Sequence, residues 1–218
     1  MLDIVIATGN RHKVRELKAL LAVPGIRWRS LDEFPQQIQI HENGRTFDAN
    51  AIKKARVVAR ALGRPAIADD SGLEVSALGN APGIRSARFA GVHGDDQANN
   101  EKLLRRLRRV PMAQRQARYR CSLALATPDG LLALTRGTWR GRIAMEPKGR
   151  RGFGYDPIFV VPRVGKTVAQ LPNRTKQRLS HRAQAARRMR DALRRLRVTG
   201  GWHQTVPATG RLARVRAA

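Results

Sequence analysis

Cysteine is almost absent, with Cys121 alone in 218 residues. A lone cysteine excludes an internal disulfide and points to an intracellular, cytoplasmic protein. Aromatic residues are scarce as well, at 5% against 42% hydrophobic overall, so any core must be built from Ala, Leu, Val and Ile. No apolar stretch approaches the roughly 20 residues of a membrane span. The opening Met1-Leu2-Asp3-Ile4-Val5-Ile6 reads as a strand, with neither a basic leader nor a cleavage site. What remains is a soluble chain long enough for one substantial domain, or for one domain with two lobes. Acidic residues are also few: 16 Asp+Glu stand against 43 Lys+Arg, a formal charge of +27. That balance favours polyanionic partners, nucleic acid first among them. Much of the excess is arginine spread along helices (Arg105, Arg106, Arg108, Arg109; Arg187, Arg188, Arg190, Arg194, Arg195, Arg197), and a drift from Lys to Arg on solvated helix faces gives the same count. The charge fits a phosphorylated substrate without identifying one.

What is present is concentrated in Ala66-Ile67-Ala68-Asp69-Asp70-Ser71-Gly72. An apolar run ends on two adjacent carboxylates, a hydroxyl and a glycine. Burying an unpaired aspartate costs several kcal/mol, so Asp69 and Asp70 are expected outside the core, at a strand end. Two acids there suit a hard divalent cation, because Mg²⁺ takes one or two carboxylates and keeps its other positions for water and phosphate oxygens. A solvated turn is the alternative, since Asp, Ser and Gly all favour turns.

The rest of the chain alternates strands and helices. Ile4–Thr8 is a strand, Gly9-Asn10 a turn, and Val14, Leu17 and Leu21 recur at helical spacing over about 11–22 until Pro24-Gly25. A short alternating run with Ile38 and Ile40 precedes Glu42-Asn43-Gly44. Phe47, Ala51, Ala55, Val58 and Leu62 form the stripe of a long helix over 46–62, stopped by Gly63 and Pro65. After the Asp-Asp segment and a glycine-rich loop through Pro82-Gly83 to Gly94, Asp95 or Asp96 caps a helix reaching Leu107, with Leu103, Leu104 and Leu107 inward. Residues 118–127 and 131–135 read as a hairpin around Pro128-Asp129-Gly130, with Cys121 an inert core residue. A last strand is expected over 158–161 and a last helix over 181–197, with Ala183, Ala186, Met189, Leu193 and Leu196 inward. Residues 1–197 therefore read as a single domain. Residues 198–218, which lack an apolar period, read as a disordered basic tail.

Four further segments bear on chemistry. Thr8-Gly9-Asn10-Arg11-His12-Lys13 joins a strand to a helix start, where backbone N–H groups attract anions and Lys13 adds a charge. Gly152-Phe153-Gly154-Tyr155-Asp156-Pro157 sets two aromatics in a flexible frame; they either stack on a base, worth about 1–3 kcal/mol, or pack into the core. Lys176, His181 and Arg182 cluster at the start of the last helix. Gly165-Lys166-Thr167 imitates the end of a P-loop, but Val160 stands where that motif needs glycine, so a P-loop NTPase is excluded.

Taken in order, Ala7-Thr8-Gly9-Asn10…Lys13, Glu42-Asn43-Gly44-Arg45-Thr46-Phe47…Asn50-Ala51, Ala68-Asp69-Asp70-Ser71-Gly72-Leu73, Ala81-Pro82-Gly83…Ser86-Ala87-Arg88, Gly152 to Pro157 and Ser180-His181-Arg182 resemble the inosine triphosphate pyrophosphatase family. The likeness spans about residues 1–197. It implies an α/β fold with an elongated central mixed sheet flanked by helices, two lobes with the active cleft between them, and a homodimer. It also implies Mg²⁺-dependent cleavage of ITP, dITP or XTP to the monophosphate and pyrophosphate. On the matching positions, Thr8, Gly9, Asn10, Arg11, His12 and Lys13 would bind the triphosphate, and Glu42 with Asp70 would hold the metal. Asp70 would also act as base and Ser71 would contact substrate. Phe153, Gly154, Tyr155, Asp156, Lys176, His181 and Arg182 would form the nucleoside pocket. Departures from the family pattern are Asn43 for the usual Thr, Asp48-Ala49 before Asn50-Ala51, Ser76 and Asn80 for Asp and Gly, and Arg85 where an aromatic is frequent.

The implied reaction is attack of water on the α-phosphorus with pyrophosphate leaving, Asp70 accepting the water's proton. Arginine and lysine only donate hydrogen bonds, so a 6-keto purine suits them and adenine's 6-amino group does not. Nucleic acid and membrane are not required. Two other readings remain at this point: a nucleic-acid-binding module using the arginine-rich surface, and a general NTP phosphatase releasing orthophosphate.

Overall fold

The computed structural model describes residues 1–203. Strand β1 (Leu2–Ile6) is apolar on both faces at Ile4, Val5 and Ile6 because it lies inside the sheet with parallel neighbours on both sides. Helix α1 (Arg11–Leu20) follows, N-capped by Asn10, whose side-chain oxygen accepts from the His12 and Lys13 N–H groups. Strand β2 (Ile26–Ser30) is not legible in the sequence, because Arg27 and Arg29 break its apolar pattern; it is an edge strand, and Arg27 holds Asp3 of β1 with two hydrogen bonds. Residues 36–46 form no strand, although Ile38 and Ile40 still pack against the core. Helix α2 (Phe47–Leu62) starts on the Thr46 cap and ends on Gly63 at φ 59°, as its stop signals predict.

Strand β3 (Ala66–Val75) corrects the expectation for the acidic pair. It does not end at Asp69 but runs ten residues through both aspartates, which are 0% and 6% exposed. Strands β4 (Gln116–Thr127) and β5 (Gly130–Ile143) form the expected hairpin, but β5 runs eight residues beyond the expected Thr135. Arg136, Gly137, Arg140 and Gly141 hide it from an apolar count. The glycines serve packing: a Cβ on Gly137 would run into the His181 carbonyl oxygen, and one on Gly141 into the Phe159 ring. Helix α3 (Asp96–Arg106) is capped by Asp95. Strands β6 (Phe159–Val161) and β7 (Lys166–Thr167) complete the sheet, so the Gly165-Lys166-Thr167 decoy is a turn into an edge strand. A seven-residue helix α4 (Asn173–Leu179), unexpected from the sequence, leads into α5 (His181–Thr199).

The seven strands run in the order β2-β1-β3-β4-β5-β6-β7, with β1 parallel to β2 and β3 and every later pair antiparallel. The result is the expected mixed sheet flanked by helices. The long strands serve two cores. Ile67, Cys121, Leu123 and Leu125 pack under α1 and α5, with an alanine-rich layer around Ala68, Ala124 and α2 on the opposite face. At the other end, Leu73, Val75, Ala117, Tyr119, Trp139 and Ile143 pack with Phe159, Val168 and α3. Asp69–Ser71 of β3, paired with Leu123, Ser122 and Cys121 of β4, lie between these two cores.

Helix α5 continues past Arg197 to Thr199, Gly201–His203 forms a 3₁₀ turn, and Trp202 packs against the first core. The remainder of the stretch read as a basic tail, 204–218, lies outside the described residues. Among the described residues no helix is long and apolar enough to cross a membrane.

Candidate active site

Successive residues of β3 point to opposite faces, so the two aspartates enter different surroundings. Asp69 lies on the α5 face. Lys13 from α1 reaches its Oδ1 at 2.5 Å, Arg182 Nε from α5 its Oδ2 at 3.1 Å, the Ser71 hydroxyl donates to Oδ1 at 3.0 Å, and the Cys121 thiol to Oδ2 at 3.1 Å. Burial alone would raise this carboxyl, but the Arg182 and Lys13 charges hold it well below the usual carboxylate range. The expectation that the pair avoids the core fails for this reason: only an unpaired aspartate is barred from burial, and this one has four donors.

Arg182 extends the network. Its guanidinium, 2% exposed, donates to Asp69, to Glu16 Oε2 at 2.5 Å and to the Ser71 hydroxyl at 2.8 Å. Glu16 also pairs with Lys176 at 2.9 Å, and Lys176 with Asp156 Oδ2 at 2.7 Å. Burial would raise Glu16, yet Arg182 and Lys176 keep it low; at Asp156 burial prevails over Lys176 and lifts the carboxyl. His181 stacks on Tyr119 with ring centroids 4.7 Å apart, and burial together with the nearby Arg182 charge pushes its imidazole well below the ordinary range, which keeps it neutral. Its Nδ1 is buried without a partner.

The aromatic-glycine turn divides between the two roles open to it. Tyr155 packs into the second core with its hydroxyl donating to the Ser86 carbonyl at 2.9 Å. Phe153 instead lines a cavity of about 310 Å³ with His12, Glu16 and Lys176. Its ring stacks on His12 at 5.2 Å and lies 4.4 Å from Lys176 Nζ. Gly152, at φ 83°, is required here because a Cβ would collide with Asp156 Oδ2. At the Thr8–Lys13 loop, Asn10 takes two helix N–H groups itself, and Gly9 has open space around it, so nothing within the chain demands a glycine there. A larger cavity of about 480 Å³, near Arg45, Arg85 and Arg120, contains none of the sequence-predicted site residues.

On the α2 face, Asp70 meets Lys54 Nζ at 3.1 Å and the Asn50 amide at 3.1 Å; the same Lys54 Nζ is 3.2 Å from Glu42 Oε1. Burial raises the Asp70 carboxyl, with Glu42 and Asp69 adding to it and Lys54 and Lys13 opposing. Two carboxylates thus share one ammonium, leaving an uncompensated negative charge. That donor set fits a divalent cation that keeps water and phosphate oxygens as its other ligands, although among the described residues no three acids, histidines or cysteines form a cage.

Of the sequence-predicted site residues, His12, Lys13, Ser71, Phe153, Asp156, Lys176, His181 and Arg182 gather on the Asp69 side and Glu42 with Asp70 on the other, with Lys13 close enough to influence both aspartates; Thr8, Gly9, Asn10 and Arg11 stay in their own loop and helix start, and Gly154 and Tyr155 lie outside both groups. Lys54, Glu16 and Cys121 were not anticipated as members. Lys54 had a signal: it interrupts the buried stripe of α2 between Ala51 and Val58, where a lysine must have a partner. Glu16 stands one turn beyond His12 and Lys13, on the same face of α1.

Comparison with known proteins places the chain in a family. The Ham1 family model matches residues 4–192. A dITP/XTP pyrophosphatase of Rhodopirellula baltica is 50% identical over 188 residues, covering 86% of this chain and 90% of that protein. One of Geobacillus kaustophilus is 46% identical over 211 residues, covering 97% and 99%. The solved structure of a HAM1 protein from Coxiella burnetii superimposes with a TM-score of 0.82 at 40% identity, covering 89% of this chain and all of that one. With its motifs, its sheet and nearly its whole described length accounted for in this way, the chain belongs to the Ham1 family.

Proposed function

We propose that this protein hydrolyses non-standard purine nucleoside triphosphates, ITP, dITP and XTP, to the monophosphate and pyrophosphate, and so cleanses the nucleotide pool. The observation that carries the reading is the division at β3: a carboxylate pair with surplus negative charge on one face, and a cationic cavity walled by Phe153 and Lys176 on the other. The relatives named dITP/XTP pyrophosphatase, matched along nearly their whole length, support it. We take the protein to be cytoplasmic and, on the family resemblance, a homodimer.

Glu42 and Asp70 would hold Mg²⁺, which supplies charge neutralisation and a template for the reacting phosphate. Asp70 accepts the proton of the attacking water; burial suits it to the task by raising its proton affinity. Lys54 keeps Asp70 and Glu42 facing one point and steadies their ionised forms. Lys13, anchored on Asp69 beside the helix start, presents its ammonium to the phosphates. In the cavity Lys176 is a cationic donor, held between Glu16 and Asp156. A 6-keto group accepts from it, while a 6-amino group sets donor against donor. Arg182 sits behind Phe153 with its guanidinium 5.8 Å from the ring, and three of its N–H groups are committed to Asp69, Glu16 and Ser71. Its part is to hold the cavity's wall and charge, with two N–H groups left for substrate.

The test is incubation of the pure protein with dITP, ATP and GTP, with and without Mg²⁺, followed by identification of the phosphate product. Mg²⁺-dependent pyrophosphate from dITP alone is expected. Orthophosphate release or equal cleavage of ATP would overturn the chemistry or the base recognition.

A further inference from the structure

Phe153 walls the cavity proposed above for the base, and its own loop holds its backbone from one side: the Phe153 N–H donates to Asp156 Oδ2 at 3.0 Å and its carbonyl accepts from the Asp156 N–H at 3.4 Å. Gly152 and Gly154 flank it, both at left-handed φ (83° and 64°), which leaves Gly154 free to be set by groups outside the loop. A second grip comes from α3. The Gly154 N–H donates to Asp96 Oδ2 at 2.6 Å, and the Gly154 carbonyl accepts from the Asn100 amide at 2.9 Å. Both polar groups of one residue are thus clasped by two side chains one helical turn apart. The same helix holds the opposite loop, where Asn99 Oδ1 accepts from the Ala90 N–H at 2.7 Å. Asn100 is 8% exposed, and its Oδ1 is buried with no partner. An unsatisfied buried acceptor destabilises a fold, and an apolar side chain of similar size would avoid that cost. The amide's two donated bonds, to Gly154 and to the Asp96 carbonyl at 2.8 Å, are what an apolar residue could not make.

We infer that Asp96 and Asn100 are positioning residues for base recognition: by clasping Gly154 they fix the height and tilt of the Phe153 ring over the cavity. The inference rests on the cavity being the base site. It places part of the selectivity on a helix that carries none of the recognised motifs and that does not line that cavity.

Steady-state kinetics of the full chain with Mg²⁺, dITP and dATP test it. Asp96→Ala and Asn100→Leu should each raise KM for dITP about fivefold to tenfold, the effect of one charge-assisted or buried hydrogen bond, with kcat changed less than about twofold. The dITP-to-dATP preference should narrow in parallel. Asp96→Asn, which keeps an acceptor, should recover most of the loss. In a Phe153→Ala background, Asp96→Ala should add little, because both act through one ring. Asp95→Ala is the structural control: it removes the helix cap on the Ala98 N–H and should lower the melting temperature while leaving KM alone. Additive losses in the Phe153→Ala background, or an equal KM change from Asp95→Ala, overturn the inference. Asp96 is exposed, so its variants keep the test open if Asn100→Leu does not fold. Should Phe153→Ala leave KM for dITP unchanged, the base-site reading itself falls. Should it raise KM while the α3 variants do not, the clasp alone falls.

Discussion

Asp69 and Asp70 share a peptide bond, yet they stand in halves of the site built on opposite plans. Around Asp69, the cations Lys13, Lys176 and Arg182 match the anions Asp69, Glu16 and Asp156, three against three, in one connected chain of contacts. Around Asp70, Lys54 stands alone against Asp70 and Glu42. The first half is closed and satisfied, and it organises the lobe junction. The second keeps a negative surplus, which a bound cation or protonation of Asp70 relieves. The same residue type one position apart is thus fully paired in one place and, in the function proposed above, the base in the other. The number of partners decides which.

The sharpest way to break this comparison is to remove one charge at a time. Asp70→Asn should lower turnover by roughly 10²–10⁴-fold, the usual contribution of a general base, while the melting temperature stays within about 3 °C of the parent. Near-full activity would end the assignment of Asp70 as base. Asp69→Asn should show the reverse emphasis. It leaves the buried Arg182 and the half-buried Lys13 beside a neutral amide, and breaking a buried pair costs about 3–5 kcal/mol. For a chain of this size that is a fall of roughly 10 °C in melting temperature. If both variants proved equally stable, the closed-against-open distinction would be wrong.

Acid sharpens the comparison because the two carboxyls respond with opposite sign. Asp69 is depressed in the folded state, so its stabilising contribution is complete above its ordinary value of 3.8 and disappears as pH falls through the lower folded value. Asp70 is raised, so the fold favours its neutral form, and its contribution is lost as pH rises through a value above 3.8. Carboxyl ¹³C titration of the metal-free protein should therefore find Asp70 protonating first as the pH is lowered, with Asp69 still ionised. Lys54→Met should move the Asp70 midpoint further up, since the ammonium opposes its protonation. The reverse order of titration would contradict the charge balance described above.

The contrast also separates what the sequence discloses from what it hides. The carboxylates, Lys13, Phe153 and the His181-Arg182 pair are visible because functional residue types cluster in short segments next to glycine or a helix start. Helices α1, α2, α3 and α5 are visible through their apolar stripes, and α3 also through its cap Asp95. Strand β2 and the second half of β5 are not, because arginines and glycines interrupt their patterns. The mistake over Asp69 and Asp70 has one cause. Whether a charge is buried depends on partners 56 and 113 positions away in the chain, as Lys13 and Arg182 are from Asp69, and local composition carries no record of them. Lys54 escaped for the same reason, although its place in an apolar stripe marked it.

The smallest test concerns Cys121, the residue read from the sequence as inert packing. It is buried in the first core, and burial with the adjoining Asp69 charge pushes its thiol well above the ordinary range, so it stays protonated. It is therefore a hydrogen-bond donor to Asp69 as well as a filler of space. Packing alone predicts that Cys121→Ala and Cys121→Ser lose stability alike, or that serine loses more through burying a hydroxyl. Donation to a carboxylate predicts the opposite order. Serine keeps a donor for Asp69 and should melt within about 2 °C of the parent, whereas alanine removes it and should cost about 1–2 kcal/mol, or roughly 2–8 °C. Neither should alter the dependence on Mg²⁺, because the Asp70 half does not include this residue. Finding alanine as stable as serine would show that Asp69 is satisfied by its cations and Ser71 alone.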